Sequence, residues 1–295
     1  MSLNSVITNV SAQVALQSLN ATQTQLQQTQ KRISTGYRVA DATDDGAAFA
    51  VAERGRADVG ALTTVNQQLG SAKGLVGTAV TALTTIDKSF GEAKSLLVQI
   101  GDNSISTDQR AQYIASYQSL VSRVANAVDG STYNGQTLLG STGTAPTGTG
   151  VKVINNENGS QSLLSNEDNS AVANTLAGLI GLTFARSAGV DTFTGTGTQT
   201  AAASALTSGG TFAIAQTALA KQLNQAGADS RFLDATISFN SQKIDSLNAG
   251  LGALIDADLS KESANLQALQ IRQQLGTQAL SLANQSPQSL LSLFK

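Results

Sequence analysis

Asp41, Asp44 and Asp45 form a tight group of carboxylates, and oxygen ligands so spaced are what a hard cation takes. They stand beside Arg32, Arg38, Arg54 and Arg56, at the head of a long apolar-periodic segment. Acidic side chains in that position cap helices and pair with cations, so capping and ion pairing is the reading taken and no metal is assigned. The Thr-Gly runs at 141–150 and 192–198 lack the Gly-x-x-x-x-Gly-Lys-[Ser/Thr] spacing of a phosphate loop and read as flexible loop. Asn9, Asn20 and Asn158 open Asn-x-Ser/Thr sequons, but the first two lie in segments of helical periodicity, so chance is the better account. A chain without His or Cys has no Ser-His-Asp triad, no Cys nucleophile and no zinc site of the usual ligand types. Between residues 140 and 210 the only acids are Glu157, Glu167, Asp168 and Asp191. No catalytic residue and no cofactor is assigned, and an enzyme is not expected.

The elements that carry these residues are helical. From Leu62 to Ile100 an apolar residue fills every a and d position of a heptad: Leu62, Val65, Leu69, Ala72, Val76, Ala79, Leu83, Ile86, Phe90, Ala93, Leu97 and Ile100. Alternating steps of three and four keep one narrow stripe facing partner helices, along a rod of roughly 60 Å. After Gly101, Ser106 and Gln109 form a capping-box signal, and Ile114, Tyr117, Val121, Val124 and Val128 repeat the spacing up to Gly130. A third helix carries Leu219, Leu223, Ala226, Leu233, Ile237, Ile244, Leu247, Leu251 and Leu254, with Ser230 and Asn240 as the polar members of its frame. Residues 3–33 and 257–293 are helical by pattern too. Leu3, Ile7, Val10 and Val14 make one stripe and Leu19, Leu26 and Ile33 another. In the C-terminal segment Ala264, Ala268, Ile271, Leu275, Ala279 and Leu282 mark one face, while Leu266, Leu269, Leu280 and Ala283 mark a second. Two apolar faces on one thin helix exceed what a single partner helix can bury.

Composition agrees with thin helical layers: 4% aromatic, 13% charged, no Trp, two Pro and a net charge of -2. The mild acidity, without any Lys/Arg run, argues against nucleic acid and anionic membranes. No apolar stretch approaches a membrane span, and Met1-Ser2-Leu3-Asn4-Ser5 lacks the basic and apolar regions of a cleavable signal. Residues 131–210 are rich in Gly, Thr, Ser and Asn, with turn signals at Asn134-Gly135 and Asn158-Gly159. They predict one or two hairpins, a short helix near Ala171 to Ile180, and an exposed loop from Gly189 to Gly210. The expected fold class is mainly α: a long antiparallel coiled-coil bundle of paired N- and C-terminal helices with a small β-hairpin and loop insertion. The termini are expected at one pole and residues 140–210 at the other.

Two stretches resemble a known family. Arg32-Ile-Ser-Thr-Gly36-Tyr-Arg38-Val-Ala-Asp-Ala42-Thr-Asp44-Asp45-Gly-Ala47 is similar to the N-terminal signature of bacterial flagellins. Asp256-Ala-Asp258, Glu262, Gln270-Ile271, Gln273-Gln274, Gly276-Thr277, Ala283-Asn284-Gln285, Pro287-Gln288 and Leu290 to Phe294 are similar to the C-terminal one. The resemblance covers about 140 N-terminal and about 80 C-terminal residues, and departs from the usual pattern at Gly46, where the family has Ala. It implies an inner domain of residues 1–42 with 256–295, a helical rod of 43–140 with 211–255, and a variable exposed region of 141–210.

It also implies a structural subunit that polymerises into the extracellular flagellar filament after unfolded export. The expected partners are copies of itself or of paralogous flagellins, the export apparatus with its chaperone, and the cap and hook-filament junction proteins. Alternatives are a junction protein of the same family or a surface adhesin on this fold. Flagellins sensed by Toll-like receptor five resemble Gln-Arg-Val-Arg-Glu-Leu where this chain has Gly91-Glu92-Ala93-Lys94-Ser95-Leu96. Glu92 reverses one charge, Lys94 loses the planar fork of Arg, and Ser95 replaces the Glu, so this recognition stretch is degenerate.

Overall fold

The structure is a computed structural model that describes residues 9–140, 151–164, 171–187, 189–207 and 209–292. The chain is mainly α-helical. In order it forms α1 (Val10–Thr35), α2 (Gly46–Gly101), α3 (Thr107–Asp129), β1 (Thr132–Tyr133), β2 (Gln136–Thr137), β3 (Lys152–Ile154) and β4 (Gln161–Leu163). There follow α4 (Val172–Gly178), β5 (Thr183–Ser187), β6 (Val190–Thr194), α5 (Gln199–Ala205), α6 (Thr211–Ile255) and α7 (Leu259–Ser292). The strands make three separate antiparallel pairs, β1 with β2, β3 with β4 and β5 with β6. Two compact units result, residues 1–59 with 245–295 and residues 60–244.

The 60–244 unit owes its core to the heptad stripe of α2. All twelve apolar a and d residues from Leu62 to Ile100 are buried, Leu83, Ile86 and Leu97 completely. Helix α3 starts as its sequence dictates: Ser106 Oγ accepts from the Gln109 N–H at 3.2 Å while Gln109 Oε1 accepts from the Ser106 N–H at 3.2 Å. Its Tyr117, Leu120, Val121, Val124, Ala125 and Val128 are buried against the same core. Tyr117 donates its hydroxyl to the Leu176 carbonyl at 2.8 Å, and burial pushes its pKa up. In α6, Phe212 packs on Phe90 with ring centroids 5.7 Å apart, Leu219, Ala226 and Leu233 are buried, and Leu223 and Ile237 pack at the edge. Lys73 of α2 pairs with Asp234 of α6 at 2.5 Å.

The three hairpins fold onto this core by specific ties. Asn134 (φ 50°) and Gly135 (φ 76°) make the two-residue turn between β1 and β2, a left-handed pair that Asn-Gly adopts at low cost. The β3–β4 hairpin closes through the Asn155 N–H donating to Ser160 O at 2.8 Å. It is tied to α6 by Asn240, whose Nδ2 donates to Asn155 O at 2.9 Å, and by a Lys243–Glu157 ion pair. Asn240, one of the two polar members of the α6 frame, thus holds a strand pair.

The loop expected from Gly189 to Gly210 is corrected. Residues 190–194 are the second strand of a hairpin, and residues 199–205 are a helix capped by Thr198, whose Oγ1 accepts from the Ala201 N–H at 3.2 Å. Alternation decides the strands: the Phe184 and Phe193 rings pack at a tilt with centroids 5.2 Å apart, and next to them Arg186 forks onto Asp191. Arg186 also reaches Asp129 of α3 at 2.8 Å, so its charge is paired twice where only 10% of the side chain is exposed. Helix α5 exists because Ala202 and Ala205 are small enough to enter the core, in which both are buried. Among the described residues the middle of the chain therefore supplies three hairpins, where one or two were expected, and contributes Leu164, Leu176, Ile180 and Phe184 to the core.

Candidate assembly surface

The unit of residues 1–59 and 245–295 is built on α1 and α7, which run antiparallel. Asn9 at one end accepts from the Ala12 N–H at 3.0 Å, capping α1, and donates to Ala283 O at 2.7 Å. Its carboxamide thus caps α1 and ties it to α7. Midway, Leu19 lies so near Gly276 that a Cβ there would sit 3.2 Å from Leu19 Cδ1, so the absence of a side chain permits the close approach. At the other end Arg32 Nη1 pairs with Glu262 Oε1 at 3.2 Å.

This pairing sorts the apolar stripes. Leu19, Leu26 and Ile33 of α1 are half-buried, as are Leu266, Leu280 and Ala283 of α7, while Leu269 is buried. Among the described residues the opposite face of α7 has no cover: Ala264, Ala268, Ile271, Leu275, Ala279 and Leu282 are all exposed, Leu275 by 58%. On α1, Val10, Val14 and Leu16 are exposed as well. Leu3 and Ile7 lie outside the described residues. Asn284 is exposed on α7.

The N-terminal motif is a clasp that fixes how the chain leaves α1. Gly36 (φ 74°) ends the helix, its N–H donating to Arg32 O at 2.9 Å and its carbonyl accepting from Ala257 N at 2.9 Å. Arg38 donates its N–H to Ile255 O at 2.7 Å and its Nη2 to Leu254 O at 2.5 Å. Val39 then buries itself with Ala48, Ala52 and Ile255, and Phe49, Leu251 and Leu254 pack around them.

The three carboxylates have structural tasks. Asp45 caps α2, its Oδ1 accepting from Ala47 and Ala48 N–H at 3.1 and 3.0 Å. Asp44 accepts from the Ala40 and Asp41 N–H groups and from Lys31 Nζ at 2.9 Å. Asp41 pairs with the same ammonium at 2.6 Å. The cation expected among the arginines is thus Lys31; Arg32 is spent on Glu262, and Arg56 binds Glu53 and lies over the Tyr37 ring. The Lys31 hydrogen bonds hold both carboxyls below the ordinary carboxylate range and raise Lys31. On α7, Asp258 caps through Ser260 and Lys261, and Glu262 lies buried in the first turn, where a carboxylate suits the helix dipole.

The remaining residues singled out by sequence sit elsewhere. Leu69, Val76, Phe90 and the rest of the α2 frame are core, whereas Ile237, Ile244, Leu247 and Leu251 of α6 are half-buried. Lys94 and Ser95 are exposed on α2, and Glu92 is paired with Arg123 of α3.

The model of the bacterial flagellin N-terminal helical region matches residues 6–144, and that of the C-terminal helical region matches residues 212–294. The flagellin FljM of Caulobacter vibrioides is 36% identical over 299 residues, covering 100% of both chains. The chain belongs to the bacterial flagellin family. FljK of the same organism is 37% identical over 296 residues, with 100% of each chain covered. The flagellin of Brucella melitensis is 36% identical over 300 residues, with 99% of each covered. As a flagellin the protein is a structural subunit of the extracellular flagellar filament, not an enzyme, and it self-polymerises. Among the described residues, no helix is long and apolar enough to cross a membrane.

Proposed function

We propose that the uncovered face of α7, with Ile271, Leu275 and Leu282, and the exposed Val10 and Val14 of α1 are the surfaces that neighbouring subunits bury in the filament. The observation that carries this is the one-sided cover of α7: its second face rests on α1 and its first on nothing within the described residues. Each Leu or Ile withdrawn from water contributes roughly 1.5–3 kcal/mol, part of which is offset by ordering and lost freedom on association. By sequence spacing Leu3 and Ile7 extend the α1 stripe. Contacts between different faces of each copy, where the rotation does not close, give an open helix of subunits.

In this reading residues 1–42 with 256–295 form the filament core, 43–140 with 211–255 the rod, and 141–210 the variable exposed region. A Cys-free chain with thin helical layers suits unfolded export, with the export apparatus, its chaperone, the cap and the hook-filament junction protein as further partners. Several full-length relatives in one organism, FljM, FljO and FljK, support mixed filaments with paralogues. The pairing of Glu92 with Arg123 supports a helix surface that receptor five reads poorly.

Seeding purified monomer with filament fragments and imaging in negative stain tests the reading. Open-ended filaments are expected; rings or monodisperse particles overturn it.

A further inference from the structure

We propose that the groove bounded by α2 and the β1–β2 and β3–β4 hairpins, all within the 60–244 unit, binds a neutral saccharide chain. The groove encloses about 390 Å³, a size suited to a few sugar rings. Its polar lining is dominated by the carboxamides of Gln68, Asn134, Gln136 and Gln161. Each offers donors and an acceptor together, matching a sugar hydroxyl, which needs both. All four side chains are exposed, so their carboxamides are open to a ligand from solvent.

The floor is apolar, with Leu75 and Val153 buried beneath the polar rim, and takes the C–H face of a ring. Tyr133 forms a wall. Its ring lies so close to α2 that a Cβ at Gly74 would come within 2.7 Å of Cζ. One cation, Lys152, faces the groove, whereas a phosphate or sulfate site gathers several cations or N–H donors. The ligand chemistry is therefore a polyol that carries little charge.

The test uses the full-length protein, as monomer and as assembled filament, titrated with labelled β-glucan, mannan, galactan and chitin fragments and with a sulfated oligosaccharide. Saturable binding of at least one neutral fragment by both forms is expected. Gln68→Ala with Gln161→Ala is expected to weaken it by about tenfold or more, leaving thermal melting and filament growth unchanged. Gly74→Ala favours the helix yet drives the Tyr133 wall outward, and is expected to give a comparable loss. The proposal is overturned if no neutral fragment binds, if the sulfated one binds best, if filaments lose what monomers bind, or if the variants bind like the parent. Filament formation is scored in the same samples, so failure here is separate from failure of the assembly reading.

Discussion

The stripe of α2 and the stripes of α1 and α7 are built from the same residues and reach opposite ends. Along α2 every apolar a and d side chain from Leu62 to Ile100 is buried inside one chain. Along α7 one face is covered by α1 while Ile271, Leu275 and Leu282 stay in water. The difference is the number of partners. Helix α2 meets α3, α6 and the hairpins in one core, whereas α1 and α7 have each other, and a pair of thin helices covers only the seam between them. A seam saturated within the chain stabilises the subunit; a stripe left over is reserved for the next copy.

The widest separation of the two regions comes from truncation. Deleting residues 1–40 or 257–295 removes one member of the α1–α7 pair. A soluble, helical, cooperatively melting protein that forms no filaments is expected by circular dichroism and electron microscopy. Filaments from either truncation would break the comparison outright.

Single charges sharpen it. Leu83→Asp places a carboxylate in the closed core, where lost packing and desolvation cost about 3–5 kcal/mol and lower the monomer melting temperature by roughly 6–20 °C. Leu275→Asp, on the open face, is expected to move the monomer by no more than about 0.5 kcal/mol and still to stop seeded growth. If the two variants destabilise the monomer equally, the open face is in truth a core.

Acid acts on the Lys31–Asp41–Asp44 cluster where the chain leaves α1. Asp41 and Asp44 titrate below their ordinary values in the folded chain, so their stabilising contribution is complete above the unfolded carboxylate value. It is lost as pH falls through their depressed folded values. Lys31 is raised, so its share persists at neutrality and fades only in strong alkali. Protection of the Ala40 and Asp41 amides, measured as the exchange rate relative to the intrinsic rate at the same pH, is expected to fall below about pH 4, before protection in the α2 core. Lys31→Met is expected to weaken that acid dependence.

The smallest effects test capping and surface. Asp45→Ala removes the α2 cap and is expected to cost about 1 kcal/mol, read as a small shift in the denaturation midpoint. Gln99→Asp, exposed beside the seam, is expected to stay within about 0.5 kcal/mol. Receptor signalling by the monomer is expected to fall well below that of a recognised flagellin in a reporter-cell titration. Glu92→Arg with Ser95→Glu is expected to recover part of it.

Sequence by itself determined the long helices, the a and d frame, the capping box at Ser106, the Asn-Gly turns and the two faces of α7. Each of these is local: periodicity and turn chemistry act within a few residues and need no knowledge of the partner. Which face of α7 goes inward was not legible, because both are apolar; Gly276 against Leu19 and Arg32 against Glu262 decided it. Nor did spacing show that Asp41 and Asp44 turn to Lys31, across a helix end and a loop, when arginines stand nearer in the pattern. The strand Val190–Thr194 and the helix Gln199–Ala205 were hidden by Gly and Thr content that reads as loop. A short alternation around Ala188-Gly189, with Phe and ion-pair residues at matching positions, was the available signal. Short strands and an Ala-rich turn of helix gain too little from local propensity to declare themselves. They form because the core of α2, α3 and α6 offers Phe184, Ala202 and Ala205 a place to be buried, a condition that only the tertiary structure supplies.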